Sequence, residues 1–356
     1  VFVKFLTVNL PGRKYDICIG RQLLHDAGSM ISGISSSAKV AVVTDSNVGP
    51  LYGEALKASL TAAGLKLKVI TVPAGESSKS IAYLEYLYDE FMEFGLSRQD
   101  FVVALGGGVV GDLAGMAAAT ILRGVDFIQI PTTLLAQTDS SVGGKVAVNL
   151  KAGKNLAGTF YQPKLVIIDP DVLATLSDKV FSDGMAEVIK YGAIYDEALF
   201  DRLLAYEGRA ELMKDIERII YRCCDIKRLV VQADEKDLGG RMLLNFGHTL
   251  GHAYEQAYNY EKYTHGEAVA AGMCKITAIG ERLGKTQAGV LESLRHVVNR
   301  YGLPEAIQAA PEHIASALGL DKKGDGEIIK LILLTRIGEA IIYPISKEQL
   351  LEEVAR

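Results

Sequence analysis

The sequence is short of several features, and each shortage removes a class of protein. No apolar run approaches the ~20 residues that a bilayer-spanning helix needs; the longest, from Leu113 to Leu122, is brief and alanine-rich. Positive charge is not in excess. The 38 lysines and arginines face 43 aspartates and glutamates, a formal net charge of -5, which argues against electrostatic nucleic-acid binding. There are four cysteines (Cys18, Cys223, Cys224 and Cys274), none in C-x-x-C spacing. They read as reduced, buried thiols of a cytoplasmic protein. The opening stretch VFVKFLTVNLPGRKYDICIG has neither a basic leader region nor a cleavage site, so no secretory signal is expected. Tryptophan is absent, as are repeats, low-complexity tracts and flexible linkers. With 49% hydrophobic and 23% charged residues the chain is not disordered. At roughly 100–200 residues per domain, its 356 residues predict two domains.

What is present is unevenly placed. Eleven of the 36 glycines fall between Gly95 and Gly158, and three of the six histidines (His248, His252, His265) lie within 18 residues. Up to about residue 177 the chain alternates strand and helix patterns. Two short strands flank Pro11-Gly12, and compact β-branched runs at 39–44, 67–72, 101–105, 126–130 and 164–169 alternate with helical periodicity such as 80–94. That repetition predicts a parallel α/β sheet over residues 1–177. From 178 to 356 helical periodicity dominates, over 181–191, 197–206, 209–232, 245–258 and 266–282. The late apolar runs 328–334 and 340–344 fit either a small hairpin or more helix.

The glycine excess divides in two. Gly106, Gly108 and Gly111 form G-x-G-x-x-G between a strand and a helix, the setting in which glycine lets a diphosphate approach a helix N-terminus. The match departs from the dinucleotide pattern, because it lies at the third or fourth strand and no acidic residue follows at the expected place. Asp45, at the end of an earlier strand with Asn47 beside it, suits a ribose hydroxyl. Glu76 and Lys79 follow the next strand and suit the adenosine side. A second glycine group, Gly143-Gly144-Lys145, follows Thr132-Thr133 and Asp139 and precedes Lys151, Lys154 and Asn155. It is a phosphate-like environment without the G-x-x-x-x-G-K-[ST] form, which disfavours ATP.

His248 and His252 stand at i and i+4, on one helix face. The glutamate of H-E-x-x-H is missing, since Thr249 holds its place, and a peptidase is disfavoured. A carboxylate from elsewhere is needed, and Glu187 is the candidate. Two histidines and one carboxylate leave an open position, the pattern of catalytic zinc. Spacing leaves open whether His252 is a ligand or a proton carrier beside the metal.

Taken together, GGGVVGDLAG, RGVDFIQIPTTLLAQTDSSVGGKVAVN, KNLAGTF, GMAEVIKYG, DEKDLGGRMLLNFGHTLGHA and THGEAVAAGM resemble the 3-dehydroquinate synthase family, in order and over roughly residues 40–340. The resemblance implies a Rossmann-like NAD-binding α/β domain over 1–177, then a mostly α-helical metal- and substrate-binding domain over 178–356. It implies a cytoplasmic homodimer of the shikimate pathway, using NAD+ and Zn2+ or Co2+. Such a phosphate-eliminating lyase converts 3-deoxy-D-arabino-heptulosonate 7-phosphate to 3-dehydroquinate and phosphate. The steps implied are transient oxidation by NAD, phosphate elimination, re-reduction, ring opening and intramolecular aldol closure. By motif, Glu187, His248 and His265 match the metal ligands, and His252 a histidine near the substrate. Asp45, Asn47, Glu76, Lys79, Gly107, Gly108, Val109, Asp112, Thr132, Thr133 and Thr175 match NAD contacts, alongside Gly111 of the motif. Arg123, Asp139, Lys145, Asn155, Lys190, Lys227, Arg241, Asn245, His252 and a lysine of Asp321-Lys322-Lys323, taken as Lys322, match substrate contacts. Lys145 and Lys154 are expected near both ligands. The family's F-L-x-T-L stretch stands here as Val172-Leu173-Ala174-Thr175-Leu176, a departure at apolar and backbone contacts.

Two other enzymes and one non-enzyme fit less well. A glycerol-dehydrogenase-type alcohol dehydrogenase would act on a neutral polyol, for which Arg123, Lys145, Lys154, Lys190, Lys227 and Arg241 are too many cations. Other sugar-phosphate cyclases lack the carboxylate that Arg241, Asn245 and the Asp-Lys-Lys stretch would meet. An NAD-sensing scaffold predicts lost ligands, yet every expected position is filled.

Overall fold

A computed structural model describes residues 3–35, 39–318 and 328–356. The chain divides into two compact units, Val1–Leu176 with Cys223–Lys236, and Ser177–Arg222 with Asp237–Arg356.

In the first unit the strands are β1 (Lys4–Leu10), β2 (Arg13–Ile19), β3 (Lys39–Asp45), β4 (Lys66–Val72), β5 (Phe101–Gly106), β6 (Asp126–Pro131), β7 (Lys145–Leu150), β8 (Gly153–Phe160) and β9 (Leu165–Ile168). Seven of them form one sheet in the order β1-β2-β9-β6-β5-β3-β4. β1 and β2 pair antiparallel, and every other pairing in that sheet is parallel. The helices α1 (Leu23–Ser32), α2 (Glu54–Ala62), α3 (Ile81–Glu93) and α4 (Gly108–Thr120) connect the strands. Alternation along each strand sorts the core into two layers. Val40, Val42, Phe101, Val103 and Leu105 pack with Leu24, Ile31, Leu56 and Leu60 of α1 and α2. Ala41, Val43, Val102 and Ala104 pack with Leu87, Phe91, Leu113 and Ala117 of α3 and α4. Both faces are covered, which is why these strands read as nearly continuous apolar runs.

β3 has β4 on one side and β5 on the other. The chain therefore reverses its winding at β3, and the crevice outside the carboxyl ends of β3 and β5 is the favoured ligand position of such a sheet. Asp45 ends β3 and Gly106 ends β5.

One segment differs from the sequence expectation. The lysine-rich stretch after Gly144, for which no strand pattern is read in the sequence, is the antiparallel hairpin β7–β8, with Lys145 opposite Phe160. Val146 and Val148 alternate inward and join the α3–α4 layer, and that burial stabilises the hairpin.

The second unit contains α5 (Asp178–Tyr195), α6 (Glu197–Ala205), α7 (Arg209–Leu212), the start of α8 (Ile216–Ala233), α9 (His248–Ala257), α10 (His265–Arg282), α11 (Val290–Arg300), α12 (Pro311–Ala317) and α13 (Lys347–Ala355). The periodicity over 209–232 belongs to two helices. The break carries Asp215, whose carboxylate accepts from Tyr206 Oη at 2.6 Å and Arg202 at 3.2 Å. From Cys223 onward α8 belongs to the first unit, where Cys224 Sγ donates to the Gln137 carbonyl at 3.1 Å. The late apolar runs form the hairpin β10 (Ile328–Arg336) and β11 (Glu339–Ser346). Among the described residues no helix is long and apolar enough to cross a membrane.

Candidate cofactor and metal sites

The cofactor residues of the first unit gather at the carboxyl ends of the strands. Gly107 caps α4, and Gly108, Val109 and Gly111 lie in its first turn. The Gly111 amide bonds the Gly107 carbonyl at 3.0 Å. The amides just before it have no partner within the helix, as at any helix N-terminus, and such amides attract anions. Gly111 also faces β6, where a Cβ would lie 2.9 Å from Gln129 Oε1. At the end of β3, Asp45 Oδ1 accepts from the Asn47 and Val48 amides at 2.8 and 2.9 Å. That turn fixes the carboxylate beside the switch point. Thr132, just past β6, donates its amide to the Gly106 carbonyl at 3.0 Å, and its buried hydroxyl has no hydrogen-bond partner. Thr133 Oγ1 accepts from the Ala136 amide at 3.2 Å, and Thr175 Oγ1 is 2.6 Å from Tyr52 Oη.

Lys79 ties three elements together. Its Nζ is 2.5 Å from Asp112 Oδ2 on α4 and 2.5 Å from Asn155 Oδ1 on β8. Burial pushes the Asp112 carboxyl up, and the Lys79 ammonium works against that shift. Glu76 accepts from Asn149 Nδ2 at 2.7 Å. Lys227 Nζ donates to Asp139 Oδ1 at 2.9 Å and to the Asp139 carbonyl at 2.6 Å. Lys145 and Asn155 are exposed on the hairpin, with Lys154 half-buried beside them.

Arg123 stands apart from Thr132. It precedes β6, whereas Thr132 follows it, so a strand of six residues, roughly 17–20 Å, separates the two ends. Its neighbour Gly124 instead lies against Tyr161, whose amide donates to the Gly144 carbonyl at 2.7 Å, at the Lys145 end of the hairpin β7–β8. Lys322 and Lys323 lie outside the described residues.

In the second unit three helices converge. α5 starts from the Ser177 cap and buries an almost unbroken run from Gly184 to Ile194, Glu187 and Lys190 included. α10 starts from a capping box, in which Thr264 and Glu267 satisfy each other's backbone amides. Glycines allow the close approach. A Cβ at Gly266 would overlap the Asp183 backbone of α5, and one at Gly272 would overlap the Gly247 carbonyl that precedes α9. His248 Nε2 and His265 Nε2 consequently lie 3.4 and 3.5 Å from Glu187 Oε1. The donor atoms of the three residues all fall within 4.8 Å of one another.

The charges there are coupled. Glu187 is 1% exposed and ion-paired with Lys190, which is 2% exposed. Burial alone would raise its carboxyl, but the Lys190 ammonium and the imidazoles hold it well below the usual carboxylate range. For His265 burial works downward, and the carboxylates of Glu187 and Glu255 outweigh it, raising the imidazolium to about 10. Both Glu187 oxygens are buried without a hydrogen bond of good geometry. A buried, ionised carboxylate with two imidazole nitrogens facing it is a donor set for a divalent cation. His252, exposed on α9, meets the ring of His248 edge to face, with centroids 5.4 Å apart. Arg241 is buried and Asn245 exposed in the short turn Gly240–Asn245 before α9.

The sequence reading did not single out Glu255, whose Oε2 is 3.3 Å from His265 Nδ1. Its spacing was available: Glu255 is seven residues after His248, two turns along one helix face. Nor did it find the Phe246 carbonyl, 3.1 Å from His248 Nδ1, because a backbone group has no side-chain signature.

Models of known families match both halves of the chain. "3-dehydroquinate synthase N-terminal" matches residues 69–183 and "3-dehydroquinate synthase C-terminal" matches 184–324. A 3-dehydroquinate synthase of Clostridium beijerinckii is 49% identical over 338 residues, covering 95% of this chain and 97% of the relative. Among solved structures, 2-deoxy-scyllo-inosose synthase complexed with carbaglucose-6-phosphate, NAD+ and Co2+ superposes with a TM-score of 0.88. It is 26% identical over 99% of both chains. The 2-epi-5-epi-valiolone synthase of Streptomyces hygroscopicus, with NAD+ and Zn2+ bound, gives 0.87 at 28% identity, over 98% of this chain and 97% of its own. With both halves matched by the family's models and a relative matched nearly end to end, the chain belongs to the 3-dehydroquinate synthase family.

Proposed function

We propose that the chain forms 3-dehydroquinate and phosphate from 3-deoxy-D-arabino-heptulosonate 7-phosphate with the residues gathered in its two units. The activity is that of its family; the residue roles are the proposal. The observation that carries it is the convergence of Glu187, His248 and His265, in a chain that also presents a helix N-terminus and an unpartnered Thr132 hydroxyl at the carboxyl ends of its parallel strands. Relatives of this fold hold NAD+ with Co2+ or Zn2+, and the residues present here fit both groups. NAD+ supplies a hydride acceptor that later returns the hydride, and the divalent cation supplies positive charge for the substrate alcohol.

The chain's own groups do the rest. The amides that open α4 face the dinucleotide's phosphates, and Asp45 accepts from a ribose hydroxyl. Oxidation of the neighbouring alcohol acidifies the proton whose removal expels phosphate. Lys145, Lys154 and Asn155 hold that phosphate and its developing charge. Lys227 holds Asp139 in place by its two hydrogen bonds. Lys190 keeps Glu187 ionised. Arg241 and Asn245 supply donors for the substrate carboxylate, and His252 carries protons during ring opening and aldol closure. Arg123, whose neighbour Gly124 lies at the Lys145 end of the hairpin, is a further cation for the substrate. The family reading extends to a cytoplasmic homodimer, expected to scatter light at twice the 38.4 kDa chain mass.

Phosphate release from the heptulosonate phosphate tests the proposal. It should stop when the metal is chelated and resume when zinc is restored. Replacement of His248 by Ala should abolish zinc binding and turnover together. A fully active, zinc-loaded His248→Ala protein contradicts the ligand assignment.

A further inference from the structure

We propose that Glu255 is a positioning residue for the metal centre: it accepts the Nδ1 proton of His265 and thereby keeps Nε2, the nitrogen a cation would take, turned toward Glu187. The inference rests on the metal reading above and deepens it.

The two imidazoles facing Glu187 are held alike. His248 Nδ1 lies 3.1 Å from the Phe246 carbonyl oxygen. A carbonyl can only accept, so that nitrogen carries a proton, and Nε2, 3.4 Å from Glu187 Oε1, is the nitrogen left to take a cation. His265 repeats the arrangement with a side chain in place of a carbonyl. Its Nδ1 is 3.3 Å from Glu255 Oε2 and its Nε2 is 3.5 Å from Glu187 Oε1. Partners of this kind on the far nitrogen fix the tautomer and the ring plane of a metal-binding histidine.

His265 needs such a partner. Its backbone is fixed by the capping box and by the Gly266 amide, which donates to Asp183 Oδ1 at 2.6 Å. Its ring is 33% exposed, so packing on its own does not choose which nitrogen faces inward. Glu255 is 5% exposed, and its burial gives its carboxylate little freedom to move away. Because α9 carries both His248 and Glu255, one helix supplies a ligand and the group that orients another ligand.

Glu255, His252 and His265 also place donor atoms within 4.8 Å of one another. Were that trio to hold a second cation through His265 Nδ1, the ring would have to lose both protons to serve two metals. A single protonated Nδ1 is the less costly state, and the two readings differ in stoichiometry.

The test uses the full chain, zinc competition with a chromophoric chelator, and 15N NMR of the histidine rings. Glu255→Met keeps the side chain's length and removes the acceptor, whereas Glu255→Gln keeps a neutral acceptor. Zinc affinity should fall about 10–100-fold in Glu255→Met and recover most of that loss in Glu255→Gln. The unsubstituted protein should bind one zinc, with His265 protonated at Nδ1 and ligated through Nε2. Affinity within twofold in Glu255→Met, with the same tautomer, overturns the proposal. Two zinc ions per chain, falling to one in Glu255→Met, also overturn it by making Glu255 a ligand. If Glu255→Met does not fold, the NMR of the unsubstituted protein decides, because ligation through Nδ1 contradicts the proposal. Failure of the unsubstituted protein to bind zinc contradicts the metal reading itself and is seen before any variant is made.

Discussion

Lys79 Nζ lies 2.5 Å from Asp112 Oδ2, joining the turn after β4 to α4. Asp112 depends on that ammonium, since burial pushes its carboxyl up and Lys79 opposes the shift. Lys79→Met should destabilise the first unit by about 1–3 kcal/mol, the cost of stranding a buried polar partner. It should also weaken NAD+ binding roughly tenfold or more, because α4 opens the dinucleotide site. Calorimetric NAD+ titration checks this. Unchanged affinity would remove Lys79 from the cofactor site.

Lys190 and Glu187 form the most deeply buried ion pair named here. Removing one member of a buried pair strands the other, typically at about 3–5 kcal/mol. Lys190→Met should therefore lower the melting temperature of chelated protein sharply. Zinc should restore part of the loss, because a cation at Glu187 replaces the missing charge. Melting curves with and without zinc check this, and an equal loss in both would contradict it.

Gly272 lets α10 meet the Gly247 carbonyl. In Gly272→Ala the added methyl must push the two elements apart, at a cost of about 1–3 kcal/mol for overpacking. His248 and His265 sit on the two helices concerned, so zinc affinity should fall with stability. A stable variant with unaltered zinc binding would show that the spacing tolerates change.

The four cysteines are buried and free. Burial raises the thiols of Cys18 to about 11 and of Cys224 and Cys274 to about 12. The thiolate is the reactive form, so at pH 8 about one in a thousand or fewer of these groups is ionised. Alkylation of the native protein should be negligible at pH 8 and rise with pH, while denatured protein should take up four equivalents. Rapid labelling of Cys18, Cys224 or Cys274 in native protein at pH 8 would contradict the burial described.

The strands with both faces covered were legible because burial on both sides leaves an apolar run, as in KVAVVT at β3. The hairpin β7–β8 was not, since only Val146 and Val148 mark its inner face, among lysines and glycines. The return of Cys223–Lys236 to the first unit rests on packing between segments far apart in sequence, which periodicity does not report. Glu187 could be nominated from 61 positions before His248, but its approach to both rings depends on Gly266 and Gly272. Glu255 stands two turns after His248 on α9, but that spacing does not report that its carboxylate meets His265 of another helix. Arg123 is grouped with the phosphate-binding residues by motif order, and the contact of its neighbour Gly124 with Tyr161, beside Gly144, is one that strand order alone does not report.

The central claim is that NAD+ is used and regenerated within each turnover. Phosphate release followed together with absorbance at 340 nm, with NAD+ equimolar to enzyme and excess heptulosonate phosphate, tests it most directly. Many phosphates should be released per NAD+, with no net NADH. Release that stops after one phosphate per NAD+, or NADH that accumulates in step with product, would contradict the account.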